Sequence, residues 1–340
     1  RYQPRSRGLG DVYKRQEYLY EPPTTPDKHS PYYNEVKAGA WIAPRNFWFI
    51  EFNVHPTLGI DVSQPSVYSS DDVEVKERWK DIKLEGIIES DFIYATLLSK
   101  DLVPFGYLKL RPVILPIERN ITSYKLVNES SLRKRGFVYM VNWLRAIQKF
   151  WESRRTAKDK KRFPTILDRL DYDGLLSTQN PSKRYVVLYN RSGKNIASCV
   201  VDKESLPSFK VLKTNIKPRG FVVDVSTYFL ETDIENEAHY ICSILNSSIL
   251  NDIIKPLQTK GEFGERDIYR RPFMFPIPKF DKSNPDHIKL AKLSKTCHKK
   301  VAAIKFTKKN IAGMRNEARN VIKKELEEIN ETVSEILGFR

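Results

Sequence analysis

Two glycines three residues apart, Gly261 and Gly264, sit in the string TKGEFGERDIYRRPFMFPIPKF (Thr259 to Phe280) among Lys260, Arg266, Arg270 and Arg271. Glycine lets a backbone approach a ligand closely and the basic side chains favour an anion, so a phosphate-cradling loop is the first chemistry to consider. A P-loop requires GxxxxGK[ST], and a dinucleotide fingerprint requires GxGxxG between a strand and a helix. Gly261-Glu-Phe-Gly264 satisfies neither.

Metal-dependent phosphodiester cleavage would use carboxylates and a lysine around a divalent ion. Pro26-Asp27 followed by Glu35-Val-Lys37 supplies such a string, and Asp71 with Glu74-Val-Lys76 a looser one. A nuclease built on Asp27, Glu35 and Lys37 is thus one reading. Solvated turn and strand charges are the other, since residues this common form such strings by chance. The histidines show no HxH or HExxH spacing, and Cys199, Cys242 and Cys297 lie far apart without CxxC, so no metal site and no disulfide framework is expected. Adenine-N6 methylation needs an [NDS]PP[YF] loop, in which the polar group and a proline carbonyl accept from the target amine while the aromatic stacks on the base. Asn180-Pro181-Ser182-Lys183 lacks the second proline and the aromatic, and no FxGxG loop for a methyl donor occurs. No catalytic residue is assigned.

Basic clusters remain. Residues 133–162 hold eleven Lys or Arg against two acids, starting with Arg133, Lys134 and Arg135. The chain of 340 residues has a net charge of +16, but residues 17–100 carry −6 and residues 101–340 carry +18. This asymmetry points to a polyanionic partner for the second part, with arginine suited to base edges and lysine to phosphates. A solvated basic face accommodates the clusters as well.

The elements that must position these groups are legible in outline. With 40% apolar and 11% aromatic residues the chain can bury a sizeable core. No apolar run approaches the roughly 18 residues of a membrane span and no secretory signal opens the chain, so a cytoplasmic protein without a membrane partner is expected. AWIAPRNFWFIEFNV (Ala40 to Val54) and YLKLRPVILPI (Tyr107 to Ile117) read as strands, and SDFIYATLL as a short helix capped by Ser90 or Asp91. Met140 to Arg155 is an amphipathic helix with Trp143 and Trp151 on its core face, followed by a charged linker, TAKDKKRF. Tyr185–Tyr189 and Asn195–Val201 flank Asn190-Arg-Ser-Gly193 as a β-hairpin, and Phe221–Val225 reads as a further strand. A helix interrupted at Asn246-Ser-Ser follows. Asp286 then caps a helix striped by Leu290, Leu293, Cys297 and Val301, and a last helix carries Ala318 to Ile336.

Several of these strings, taken together, are similar to one family. AHYICSILNSSILNDIIKPLQTKGEFGERDIYRRPFMFPIPKFD resembles the end of the target-recognition domain in adenine-specific DNA methyltransferases of the type IIG restriction-modification class, which is related to type I specificity subunits. AGAWIAPRNFWFIEF, GIIESDFIYATLLSKDLVPF, RYVVLYNRSGKNIASCVVD and EEINETVSEILG look like the same family in the same order, from about Tyr33 to the end. The resemblance implies a C-terminal domain gripping the major groove of double-stranded DNA, preceded by a methyltransferase domain and often a nuclease. It matches Gly261 and Gly264 to loop glycines, Lys260, Arg266 and Asp267 to charged positions, and Asn246 and Ser247 to an LNS helix. On it, Lys260, Gly261, Gly264, Arg266, Arg270, Arg271, Arg133, Lys134 and Arg135 are the expected DNA-contacting residues.

On this resemblance the catalytic half is expected to lie outside the sequence. DVYKRQ at Asp11 to Gln16 reads as a translated sequencing adapter, so residues 1–16 are set apart and an upstream methyltransferase domain is expected to be missing, with S-adenosylmethionine and Mg bound there and no cofactor here. The expected organisation is α+β. A mixed α/β connector (17–135) precedes a mixed α/β target-recognition domain with β-hairpins (136–280) and a C-terminal helical hairpin or coiled-coil arm (281–340). The rival reading is a non-enzymatic specificity subunit pairing with a separate methyltransferase through that arm.

Overall fold

The computed structural model describes residues 29–338 apart from 56, 58, 262, 263 and 266, with only the backbone at 260, 261, 264 and 265. The fold is α+β, with small antiparallel sheets and C-terminal helices. β1 (Lys37–Ala38) leads into α1 (Arg45–Trp48), then β2 (Ile50–Phe52), β3 (Ser66–Ser69) and β4 (Glu85–Ile87), a three-stranded sheet in that order. β5 (Ile93–Thr96) pairs with β8 (Arg111–Ile114), β6 (Leu102–Val103) with β7 (Gly106–Tyr107), and β9 (Ile117–Arg119) with β10 (Tyr124–Leu126). Helices α2 (Glu129–Lys134), α3 (Val138–Arg154), α4 (Ala157–Arg162) and α5 (Ile166–Leu170) complete this part. Leu132, on one side of the expected boundary at 135/136, shares a single core with Met140, Trp143, Ile147 and Trp151 on the other. Trp151 stacks on Trp79 at 5.7 Å and Trp143 donates to the Phe47 carbonyl at 2.9 Å, so both tryptophans are core residues.

The second part is a four-stranded antiparallel sheet in the order β1-β15-β11-β12, from β11 (Tyr185–Asn190), β12 (Ser198–Asp202) and β15 (Thr227–Thr232). A two-stranded hairpin of β13 (Phe209–Val211) and β14 (Thr214–Ile216) lies between β12 and β15 in the chain. Successive side chains of a strand point to opposite faces. Tyr185, Val187 and Tyr189 of β11 therefore join a core with α6 (Glu235–Asn246), while Val186 and Leu188 meet Ala95, Phe221 and Phe229 on the other face. After α6 come α7 (Ser248–Ile254), the short pair β16 (Lys260–Gly261) and β17 (Gly264–Glu265), then α8 (Pro285–Ala302), α9 (Ile311–Val321) and α10 (Lys323–Ile336). The apolar stripe of α8 packs on α6 through Leu290, Ala291, Cys297 and Val301.

Several local readings change. The Ala40–Val54 strand is interrupted by α1: a strand would send Phe47 and Trp48 to opposite faces, whereas one helical turn after Pro44 keeps both in the same core. The helix expected from Ser90 is a single 3-10 turn, and Ile93–Thr96 is a strand with all four residues buried, a run whose apolar continuity hides its period. The linker after Arg155 is instead α4, closed by a capping box in which Asp159 N donates to Thr156 Oγ1 at 3.1 Å and Thr156 N to Asp159 Oδ2 at 3.2 Å. Asn284 rather than Asp286 caps α8, its Oδ1 accepting from Asp286 N at 2.9 Å, because Pro285 takes the first helical position. The Phe221–Val225 segment forms isolated bridges, Ala95 to Phe221 and Ala40 to Asp224, which tie the first core to the sheet.

Candidate nucleic-acid interface

The expected DNA-contacting residues fall into two environments. Arg133 and Lys134 end α2, which Asn128 caps, and Arg135 follows it. Glu129 Oε1 accepts from Arg133 Nε at 3.1 Å and from Arg145 Nε at 2.9 Å, and Arg135 is ion-paired with Glu118 while lying over the Phe137 ring at 4.9 Å. Of the three, only Lys134 lacks an ion pair among the described residues.

The second environment is built on the β11–β12 turn. Its backbone is joined to the segments on both sides of the β16–β17 pair: Ser192 bridges Asp267, Ile268 N donates to Arg191 O at 3.1 Å, and Gln258 Nε2 donates to Gly193 O at 3.0 Å. Tyr189 hydroxyl donates to Tyr269 O at 2.6 Å, fixing Tyr269 from below. The Arg191 guanidinium then lies over Tyr269 at 5.1 Å, Arg271 over the same ring at 5.7 Å, and Arg270 over Tyr33 at 5.9 Å. Arg271 also donates to the Asp267 carbonyl. None of these three arginines makes an ion pair among the described residues. Asp267 stays below the usual carboxylate range, chiefly through the Thr259 hydroxyl bond, with Arg271 and Arg191 adding to it. Gly261 and Gly264 face each other in the β16–β17 register, and Lys260 faces Glu265; Arg266 lies outside the described residues.

Arg191 also lines a cleft of about 560 Å³, with Trp41, Arg45, Lys76, Arg169 and Asp224. Its wall is placed by a close approach: a Cβ on Gly39 would fall 2.2 Å from the Asp224 carbonyl oxygen, so only glycine lets this chain segment lie against Asp224. Asp224 is 0% exposed; Oδ1 accepts from Arg45 Nη2 at 3.2 Å and from Ser226 N at 2.8 Å, and Oδ2 has no partner. Burial pushes this carboxyl up, against the opposing pull of Arg45. Arg169, 7% exposed, lies over Trp41, Trp151 and Phe163 at 5.4, 5.1 and 5.5 Å, with Asp159 at 3.6 Å. Its Nε has no partner, and burial depresses its pKa. Trp41 packs edge-on against Tyr172, which carries the exposed Arg162 at 4.1 Å.

A second basic cleft of about 550 Å³ is lined by Arg119, Lys183, Arg184, Lys203, Lys217 and Arg219. Most of its charge is already matched: Lys183 by Asp233 at 2.6 Å, Arg184 by Asp202 at 2.9 Å, Lys203 by Glu231 at 3.0 Å and Arg219 by Asp91 at 3.7 Å. It is the weaker candidate for an anion.

Two members of the nuclease string have other partners. Glu35 is paired with Lys279 at 2.9 Å and Lys37 donates to the Thr178 carbonyl at 3.0 Å, while Asp27 lies outside the described residues. Among the described residues no group of three or more His, Cys, Asp or Glu is placed to hold a metal ion, and no helix is long and apolar enough to cross a membrane. Asn246 and Ser247 have structural work. Asn246 clamps the Ser198 backbone, accepting from N at 3.0 Å and donating to O at 2.9 Å, and Ser247 Oγ caps α7 by accepting from Leu250 N at 3.2 Å. Sequence reasoning missed Arg45, Arg169, Arg191 and Asp224. A lone carboxylate inside the apolar run FVVDV was the signal available for Asp224.

No protein-family model and no curated protein matches the chain. Among solved structures, the type IIL restriction-modification enzyme MmeI in complex with DNA is similar with a TM-score of 0.46 at 12% identity, over 73% of this chain. The chain spans 28% of that enzyme's length.

Proposed function

We propose that this chain is a sequence-specific double-stranded DNA-recognition module belonging to an adenine-N6 DNA methyltransferase of the type IIG restriction-modification class. Catalysis, S-adenosylmethionine and Mg belong to the methyltransferase part of the parent enzyme. The observation that supports the reading is a set of arginines held over aromatic rings without ion pairs among the described residues: Arg270 over Tyr33, Arg191 and Arg271 over Tyr269, and Arg162 over Tyr172. Aromatic faces hold guanidinium groups in place while leaving their donor edges free for phosphates or bases. The resemblance of the 238–281 string to family recognition domains supplies the class.

Binding of this kind releases counterions, so the logarithm of the association constant should fall linearly with the logarithm of salt concentration, by about 0.9 for each neutralised phosphate. Fluorescence anisotropy of labelled duplexes from 50 to 300 mM salt measures this, and a flat response would remove the proposal. Methylation mapping with the reconstituted parent enzyme tests the class: an Arg191→Ala variant should lose methylation at the target site while remaining folded.

A further inference from the structure

The hairpin of β13 and β14 turns on two residues, Leu212 and Lys213, since Val211 pairs with Thr214. Leu212 is 81% exposed and has a φ of 52°. Exposed apolar side chains occur singly on any surface and need no account, and Ile121, at 87%, is one of them. Leu212 differs because it runs against its surroundings twice: a left-handed residue in a hairpin turn is ordinarily Gly or Asn, and a bulky side chain there is an outlier. Glycine would remove both costs. Outliers of this kind persist where the position has a task beyond folding. The rest of the hairpin is firmly seated: Val211 and Ile216 are buried in the first core and Phe209 packs on Phe52 at 5.8 Å, while Lys210 and its partner Asn215 are exposed.

We propose that Leu212 is a wedge that enters between two stacked base pairs of bound duplex DNA, with Lys210, Lys213 and Lys217 on the phosphates around it. The inference rests on the reading that this chain binds duplex DNA. Apolar wedges, leucine among them, open base steps in this way and bend the duplex. Charge selects the occupant. Residues 206–223 hold Lys210, Lys213, Lys217 and Arg219 and no acid. The three lysines are exposed and make no ion pair among the described residues, whereas Arg219 faces Asp91 at 3.7 Å. A protein partner is disfavoured, because lysine is depleted in protein interfaces and leucine is seldom an anchor there. A membrane is disfavoured as well, because one leucine buries too little apolar area to hold a protein on a lipid surface. A wedge must not yield when pushed, and the buried base of the hairpin meets that requirement.

Anisotropy with the full chain compares a fully paired duplex with the same duplex carrying one central mispair, where a step opens at less cost. The mispaired duplex should bind at least about fivefold more tightly. A 2-aminopurine beside the mispair should brighten on binding as its neighbour is unstacked. Leu212→Gly should remove both effects, melt no lower than the unaltered chain, and leave the salt dependence of binding to the paired duplex unchanged. Leu212→Asn, also at ease in the left-handed region, should do the same. Equal affinities for the two duplexes, or a preference and a fluorescence change that survive Leu212→Gly, overturn the wedge while the paired duplex still reports DNA binding. No binding to either duplex removes both the wedge and the reading it rests on. Vesicles of phosphatidylcholine and phosphatidylserine form the last arm: Leu212-dependent binding to them without a preference for the mispair assigns the tip to a membrane and likewise overturns the proposal.

Discussion

The end of α2 and the β11–β12 turn carry the same side chains in opposite states. Arg133 and Arg135 face Glu129 and Glu118, so their charge is matched within the chain. Arg191, Arg270 and Arg271 lie over tyrosine rings and make no ion pair among the described residues. A count of basic residues along the chain weighs the two regions alike, whereas the field a polyanion meets depends on which cations already have a carboxylate within about 4 Å. Cationic composition and cationic surface are therefore different quantities.

Arg169 is the sharpest test of the distinction, because it shares its type with both regions and belongs to neither. It is buried against three aromatic rings, while Asp159 keeps a closer partner in Arg78 at 3.1 Å, so Arg169→Ala should cost roughly 2–4 kcal/mol of stability, chiefly through lost packing. Urea unfolding measures this, and a loss below about 1 kcal/mol would show that it does not clamp the cleft wall. Next in size is the triple Arg191, Arg270 and Arg271→Ala variant. It should bind duplex roughly 10- to 100-fold more weakly at low salt, with a salt slope shallower by about 2.7. An unchanged slope would erase the contrast between the two regions.

Acid separates both arginine regions from the core. His239 and His298 lie 4.8 Å apart between α6 and α8, and burial lowers their pKa values to about 3 and about 4, helped for His239 by its neighbour His298. His298 Nε2 accepts from Val200 N at 3.1 Å while its Nδ1 faces the Ser294 carbonyl at 2.8 Å, leaving no place for a second proton. The unfolded imidazoles charge near pH 6.5 and the folded ones do not, so this stability is present above 6.5 and falls with pH toward about 4 and 3. Each pH unit below 6.5 costs roughly 1.4 kcal/mol per histidine, and unfolding at pH 7.5, 6 and 5 should show the decline. Arginines do not titrate there, so duplex affinity of the folded chain should hold. The smallest effect is expected for Arg133→Ala with Arg135→Ala: under about 0.5 kcal/mol in stability per exposed pair, and less than about twofold in duplex affinity. A large loss of affinity would place the α2 end in the interface after all.

Periodicity carried much of the fold. The helix around Trp143 and Trp151, the hairpin at Asn190–Gly193 and the break at Asn246-Ser247 were legible because each has a local cause: an apolar stripe, a turn, a cap. Ile93–Thr96 was not, since a strand buried on both faces loses the alternation that reveals it. Of the candidate interface, Arg270 and Arg271 were visible as basic residues near glycines. Arg191 was read as part of a turn only, because its role comes from Tyr269, far along the chain.

The sequence by itself determined an α+β chain with a net charge concentrated after residue 100, three reduced cysteines buried in the core, and no local catalytic or metal-binding motif. These follow from residue type and short-range spacing. Which cations remain unmatched, and the meeting of Trp41, Arg45, Arg169, Arg191 and Asp224 around one cleft, were decided by tertiary structure. The burial of a lone carboxylate beside Arg45, 179 positions away, and the stacking of Arg191 on Tyr269 depend on separations of a few ångströms between residues distant in the chain, and no local pattern encodes those distances.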